Sequence, residues 1–406
     1  MTDIMTLANP PEWQLYRLGQ LFRERKEKGN DRDFTPLSVT MGGIVPQLET
    51  AAKTDDGDNR KVVRVGDYVI NSRSDRKGSG GISEYEGSVS LISIVLEPHD
   101  DIEPRYAHHL LRSPAFQEEF YRWGHGIVAD LWTTRYGDMK NIRLRVPDLA
   151  TQRQIADFLD RETARIDLLI EKKQRLVDMV APRLDALIHE ARKRGNWRRF
   201  GFCAQTTPRP IPHNQDATYV PLGLYNRGRG FFRKPETAYD DLGESSFFFV
   251  EEGDLVFSGQ FAWEGAVGFV PEREHGSVVS HRYPVYTGIK GVLSDYLFAY
   301  FRSHHGQFLM DNCSRGAAGR NRPLNTRILE KEKIPVPNIE LQQRVAKVIE
   351  FERRLKEKTA PSIDRLKEYR SALITAAVTG QIDVTSYATS GTPDRRLDAI
   401  QEEMGK

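Results

Sequence analysis

Pro147-Asp148-Leu149-Ala150-Thr151-Gln152 opens a long amphipathic run that closes on Ala186-Leu187-Ile188, and Pro337-Asn338-Ile339-Glu340-Leu341-Gln342 opens a second that closes on Ala372-Leu373-Ile374. From Ile155, apolar positions of the first run step by three and four through Leu159, Ile166, Leu169, Leu176, Val180 and Leu187, broken by Glu162, Lys173 and Arg183. The second passes through Val345, Ile349, Leu355, Ile363, Leu366 and Leu373. That spacing keeps one helix face apolar, so two long helices with polar flanks are predicted. Proline upstream of each favours an extended approach, and Gly195 and Gly380 are placed as C-terminal stops. Pro182 and Pro361 fall inside the pattern and predict a kink or break. A small domain cannot cover stripes of this length. The helices, each about 40 residues and ~60 Å long, are therefore expected to bury their stripes against each other as an antiparallel coiled coil. The alternative is that each packs on its own domain.

The runs belong to a tandem duplication with a period of about 190 residues, longer than any solenoid unit. Phe34-Thr35-Pro36-Leu37 returns as Tyr219-Val220-Pro221-Leu222, Glu49-Thr50 as Glu236-Thr237, and Gly66-Asp67-Tyr68-Val69 as Gly253-Asp254-Leu255-Val256. Tyr106 with Arg112-Ser113 returns as Tyr296 with Arg302-Ser303 at identical spacing. One such match is chance; the same order of matches throughout is not. Each copy opens with a β-rich part whose short apolar runs are separated by Gly, Pro and Asp turns. Residues 62–65, 68–70 and 90–96 read as strands in the first copy, and residues 247–250, 255–257 and 278–286 in the second. A helix follows in each, over residues 104–123 and 294–313. The fold class is α+β: two tandem-duplicated β-rich domains separated by two long helices, with pseudo-two-fold symmetry. The expected boundaries are a domain at 1–150, a helix at 151–195, a domain at 196–338, a helix at 339–382 and a tail at 383–406.

The 406 residues exceed one compact core. Hydrophobic residues at 39% and charged residues at 29% suit small domains joined by solvent-washed helices. The net charge is only +2, so any nucleic-acid surface must be a local patch. Asp55, Asp56, Asp58, Asp100 and Asp101 are read as exposed loops. Cys203 and Cys313 form no close pair, which argues against a disulfide framework or zinc cluster and for a reducing compartment. The start shows no basic segment followed by an apolar run, and no apolar stretch approaches the ~20 residues of a membrane span. A cytoplasmic protein without a membrane partner is expected.

Two similar but non-identical heads suit a target with two separated, non-identical half-sites, and DNA is such a target. The alternation of β-rich domains with helices bearing Pro147…Gln152…Ala186-Leu187-Ile188 and Pro337…Gln342…Ala372-Leu373-Ile374 is similar to that of a known family. The second helix runs on into Ala377-Val378-Thr379-Gly380, and the domains open with Trp13…Leu18-Gly19 and Trp197…Phe200-Gly201. Over roughly residues 10 to 384 the chain resembles the specificity subunit of type I restriction-modification systems. The first helix departs from the pattern by ending in Ala191-Arg192-Lys193-Arg194-Gly195. The resemblance implies that each target-recognition domain reads a few base pairs of double-stranded DNA. It also implies that the paired helices act as spacer and as dock for two methyltransferase subunits. Those would use S-adenosylmethionine, and a restriction/translocase subunit would use ATP and Mg; no cofactor is expected in this chain.

The chemistry implied to be absent has no motif here. The sequence contains no Gly-x-x-x-x-Gly-Lys-Ser/Thr loop, no Asn/Asp-Pro-Pro-Tyr/Phe, no His-Glu-x-x-His and no Gly-x-Ser-x-Gly. His108-His109 and His304-His305 invite a metal reading. Adjacent helical residues point about 100° apart, so no metal site is expected. Glu251, Glu252 and Asp254 are read as a turn before a strand rather than as nuclease carboxylates.

Candidate DNA-binding residues lie in loops that combine Arg, Lys, Asn or Gln with glycine and an aromatic side chain. In the first copy these are Asn71, Arg73, Arg76 and Lys77, followed by Gly78, Gly80 and Gly81, and then Trp132, Thr134 and Arg135. In the second they are Arg227 and Arg229, Gln260 and Trp263, and Arg315, Arg320, Asn321 and Arg322. For any single arginine the alternative is a solvated surface charge. The run Arg192, Lys193, Arg194, Arg198, Arg199 fits a phosphate contact or a solvated linker equally. Two other functional readings stay open: a free-standing restriction endonuclease with an unrecognised nuclease motif, and a coiled-coil adaptor that binds no DNA.

Overall fold

The structure, a computed structural model, describes residues 10, 12–47, 57–126, 132–316 and 322–385. It divides into two compact units, one formed by residues 1–173 with 359–406 and the other by residues 174–358.

In the first unit, strand Gln14–Arg17 pairs antiparallel with Arg143–Val146 and zips the beginning of the β-rich part to its end. The main sheet runs in the order Phe22–Glu24, Ser93–Pro98, Tyr68–Asn71, Gly80–Ile82. A smaller sheet holds Lys28–Gly29, Arg60–Val63 and Gly87–Val89, and Leu37–Thr40 forms a hairpin with Gly43–Pro46. The second unit repeats the plan. Asn196–Arg199 pairs with Lys333–Val336, and its main sheet runs Ala204–Thr206, Val285–Gly288, Leu255–Phe257, Val267–Phe269. Leu222–Leu224 and Phe231–Arg233 form the matching hairpin.

Each repeated motif has a physical cause. Gly66 and Gly253 turn with φ +92° and +87°, values that glycine adopts without a Cβ clash. The aspartate that follows is buried and bidentate. Arg25 donates to Asp67 at 2.7 and 3.0 Å, and Arg209 donates to Asp254 at 2.7 and 3.3 Å. The backbone N–H groups of Arg64 and Glu251 each add a bond of 2.8 Å to these carboxylates. The acidic turn at 251–254 is thus an ion-paired corner.

The helices expected over 104–123 and 294–313 are each two. Pro104–Arg112 is followed by Pro114–Arg122, and Ser294–Arg302 by His304–Asn312. The Ser113 hydroxyl donates to Leu110 O at 2.7 Å and accepts from the Phe116 N–H at 3.3 Å. Ser303 donates to Tyr300 O at 2.6 Å and accepts from Gly306 at 3.4 Å. One side chain stops one helix and caps the next.

The first long helix spans Leu149–Asp178 and Val180–Arg194, with the break at Met179. Pro182 therefore sits in the first turn of the second segment, where its missing N–H has no intrahelical partner to lose. The break expected at Pro361 is not found. It lies exposed inside the uninterrupted helix Ile339–Val378, where the cost is one backbone bond on the solvent side. Gly380 ends that helix with φ +69°, while Gly195 ends the first in an extended conformation. In the first unit, Ile155, Leu159 and Ile166 bury with Leu366, Leu373, Ile374, Ala377 and Val378. Arg370 there meets Asp167 at 3.0 Å. In the second unit, Val180, Leu184, Leu187 and Ile188 bury with Leu341, Val345, Val348 and Ile349, and Arg344 meets Glu190 at 3.3 Å. The start of each long helix thus packs with the end of the other, the antiparallel sense expected. Leu176 departs from the stripe and is half exposed.

The repeated Pro-x-x-x-x-Gln is a clamp. Buried Gln152 donates to Pro147 O at 2.9 Å and Asp101 O at 3.0 Å, and accepts from the Glu103 N–H at 2.8 Å. Gln342 donates to Pro337 O at 3.0 Å and Gly291 O at 3.2 Å, and accepts from the Leu293 N–H at 2.9 Å. One amide ties the start of each long helix to the loop before the domain helices. Truncation removes the partner of three backbone groups in each clamp, of which the Pro147 and Pro337 carbonyls are buried. Gln152→Ala and Gln342→Ala should each cost about 2–4 kcal/mol, measured by chemical denaturation followed by tryptophan fluorescence; an unmoved midpoint would contradict the clamp.

Candidate nucleic-acid interface

In the first unit, strand Tyr68–Asn71 leaves the main sheet and three loops meet at the next residue. The Ser72 N–H donates to Ile92 O at 3.3 Å, in the turn leading into the neighbouring strand. The Ser72 carbonyl accepts from the Thr134 N–H at 3.0 Å, in the second candidate loop. Ser74 adds an N–H bond to Trp132 O at 3.0 Å. The second unit repeats the node at Gly259. Its N–H donates to Arg282 O at 2.7 Å, and its carbonyl accepts from the Leu324 N–H at 2.8 Å. A further loop joins there: the Arg227 and Gly228 N–H groups donate to Glu264 O at 3.1 Å and Gly265 O at 2.9 Å, with Arg227 at φ +59°. In each unit, candidate loops far apart in sequence are gathered at one edge of the main sheet.

Their side chains fall into two groups. Arg73 and Arg135 are exposed and have no acceptor among the described residues, and Arg76 is exposed with Asp75 at 3.8 Å. Trp132 is partly exposed beside them. Lys77 is engaged, ion-paired to Glu118 and lying 5.5 Å over the Tyr121 ring. Asn71 and Thr134 are buried and build the edge. The Asn71 amide oxygen accepts from the Arg73 N–H at 3.0 Å, and the Thr134 hydroxyl donates to Phe120 O at 2.9 Å. In the second unit, Arg229 lies 5.3 Å over Tyr225 and donates to Asn226 O at 3.0 Å. Gln260 is exposed, and its carbonyl accepts from the Trp263 indole at 3.1 Å. Arg322 lies 5.2 Å over the Trp263 ring and pairs with Asp311 at 2.7 Å. Arg315 is exposed and donates to Asn312 O at 3.3 Å. Arg320 and Asn321 lie outside the described residues.

Composition missed a hairpin tip at this edge. The hairpin tip Met41-Gly42 in the first unit is the counterpart of the tip that carries Arg227 and Arg229, and Met41 is well exposed. It has no charge to flag it. Only its place between the runs at Val39 and Ile44 could have pointed there.

Beneath the edge, the repeated arginine is used differently. Arg302 is bidentate to Glu352 at 3.1 and 2.7 Å, whereas Arg112 donates to Met41 O and lies 2.9 Å from His108. His109 bonds Asp160 at 2.8 Å, and among the described residues no cluster of His, Cys, Asp and Glu is arranged to hold a metal. Burial, with Arg112 and His109 adding, pushes His108 down to about 3. Burial also lowers His109, against its Asp160 bond. A histidine depressed when folded leaves stability intact above the unfolded value near 6.5 and erodes it as pH falls towards 3. The chain should melt at lower temperature at pH 5 than at pH 7.5. His108→Gln should narrow that gap in thermal unfolding; an unchanged gap would place the sensitivity elsewhere.

No family model matches the sequence, and no curated protein matches it. Solved structures do. A chain from a structure titled for complex assembly and conformational transition of the type I R-M system superposes with a TM-score of 0.58 at 15% identity, covering 92% of this chain and 99% of that one. The type I restriction-modification system S subunit from M. genitalium gives 0.51 at 14%, covering 93% and 99%. The HsdS subunit from Thermoanaerobacter tengcongensis gives 0.41 at 16%, covering 92% and 98%, and the fold assignment rests on the other two. Among the described residues no helix is long and apolar enough to cross a membrane. The fold of this chain is that of the type I restriction-modification S subunits.

Proposed function

We propose that the chain is the non-catalytic specificity subunit of a type I restriction-modification complex, reading a bipartite, asymmetric site in double-stranded DNA. The carrying observation is the pair of loop nodes at Ser72 and Gly259, which gather equivalent loops bearing different side chains. Arg73, Arg76 and Arg135 on one edge, and Arg227, Arg229, Arg315 and Gln260 on the other, are donors of the type that contact phosphates and base edges. Different residues at equivalent positions suit non-identical half-sites. The helix lengths set the spacer, bounded to about one turn of DNA.

Two methyltransferase subunits and a restriction/translocase subunit are the partners, and S-adenosylmethionine, ATP and Mg act in them. A groove of about 540 Å³ in the second unit supports a docking role. Exposed Leu176, Met179 and Phe351 line it together with Arg183, Arg344 and Lys347. Uncovered apolar side chains in one groove suit burial against another protein.

In gel-shift titrations, Arg76→Ala and Arg320→Ala should each weaken specific binding by about 1–3 kcal/mol; binding equal to the parent would strike those residues from the interface. Adding one heptad to both long helices should change the preferred spacer between half-sites. An unaltered spacer would refute the measuring role of the helices.

A further inference from the structure

The turn at residues 90–93 and its counterpart at 280–283 lie outside every loop that composition selected, yet each closes on a node. Both are four-residue turns. The Ser93 N–H donates to Ser90 O, and the Tyr283 N–H to Ser280 O, each at 2.9 Å. Both feed the strand beside the one that ends at the node: Ser93 pairs with Asn71, and Val285 with Val256. Ile92 O accepts from Ser72 at 3.3 Å, just as Arg282 O accepts from Gly259 at 2.7 Å. These bonds make Ile92 the equivalent of Arg282, and Leu91 that of His281.

The side chains at these equivalent places are chemically opposite. Leu91 is 40% and Ile92 38% exposed, two large apolar groups side by side at the tip of a turn. His281 and Arg282 are exposed, and the Arg282 guanidinium has no acceptor among the described residues. The main chain at each tip is used inward, towards the node. That fixes the turn and leaves its side chains free for a ligand at the same edge.

In the major groove, a thymine presents a methyl group that apolar side chains cover, and a guanine presents O6 and N7, which match the arginine fork. We infer that the turns at 90–93 and 280–283 are specificity determinants, with Leu91 and Ile92 reading a thymine methyl in one half-site and Arg282 reading a guanine in the other. This rests on the DNA-reading role proposed above.

The test is selection of duplexes from a randomised library by the full-length chain, sequenced before and after. Arg282→Ala should reduce discrimination about tenfold at one guanine of one half-site and leave the other half-site unchanged. Arg282→Lys keeps the charge and loses the fork, and should show the same loss. The double variant Leu91→Ala, Ile92→Ala should stop selecting one thymine in the other half-site. Replacing that thymine by uracil should weaken the parent about fivefold and the double variant not at all.

Variants that keep every base preference of the parent would overturn the inference while leaving the DNA-reading role intact. So would an Arg282→Lys chain indistinguishable from the parent, because the contact would then be to phosphate. Indifference of the parent to uracil would remove the methyl contact. A parent that enriches no sequence would remove the DNA-reading role itself.

Discussion

Each unit closes its core with the end of a helix that begins in the other copy of the repeat. In the first unit, Leu366, Leu373, Ile374, Ala377 and Val378 bury beside Ile155, Leu159 and Ile166, and the Tyr106 hydroxyl donates to Val378 O at 3.2 Å. In the second, Val180, Leu184, Leu187 and Ile188 do the same beside Val345 and Ile349. Neither copy holds all of its own core, because a stripe of forty-odd helical positions finds too little apolar surface on one small domain. Burying side chains of this size contributes about 1.5–3 kcal/mol each, so exchange of helix ends dominates over the exposed ion pairs along the helices, each worth at most about 1 kcal/mol. The exchange of helix ends is therefore a requirement of packing.

The two loop edges are built on main-chain bonds. The loops at Ser72 and Gly259 are held by backbone N–H and carbonyl groups, and by buried side chains such as Asn71 and Thr134 that face inward. Exposed positions on the same loops are then free to differ. Arg73 and Arg135 on one edge, and Arg229 and Gln260 on the other, can change without disturbing the node, because no core contact depends on them. This separation lets two copies keep one architecture while presenting different donors.

The copies also differ beneath the edge. Arg302 is held by Glu352, whereas Arg112 lies against His108 and the carbonyl of Met41. The residue ten positions after Gln152, Glu162, is buried like Glu352 but pairs with its neighbour Arg161 at 3.0 Å. Duplicated sequence does not guarantee duplicated contacts. The repeated arginine meets a backbone carbonyl of the hairpin tip in one copy and a carboxylate of the long helix in the other.

Periodicity by itself determined the long helices, and the ordered matches between copies determined the two-domain plan, because both rest on local patterns that survive in one dimension. The buried glutamine clamps were visible as a repeated letter, but their role was not, since the three groups each one serves lie up to 51 positions away. The same limit explains the misplaced features. The serine that splits residues 104–123 acts through a hydroxyl geometry that hydrophobic pattern ignores, and Pro361 is tolerated because its face meets solvent. Glycine and arginine content selected most of the loops that the structure gathers at the two sheet edges. Only the tertiary structure separated Thr134 and Asn71, which hold the edge, from Arg73 and Arg135, which present it, and brought in the uncharged tips at Met41 and Leu91. Which way a side chain faces is set by hydrogen bonds closed over long stretches of chain, and composition carries no record of them.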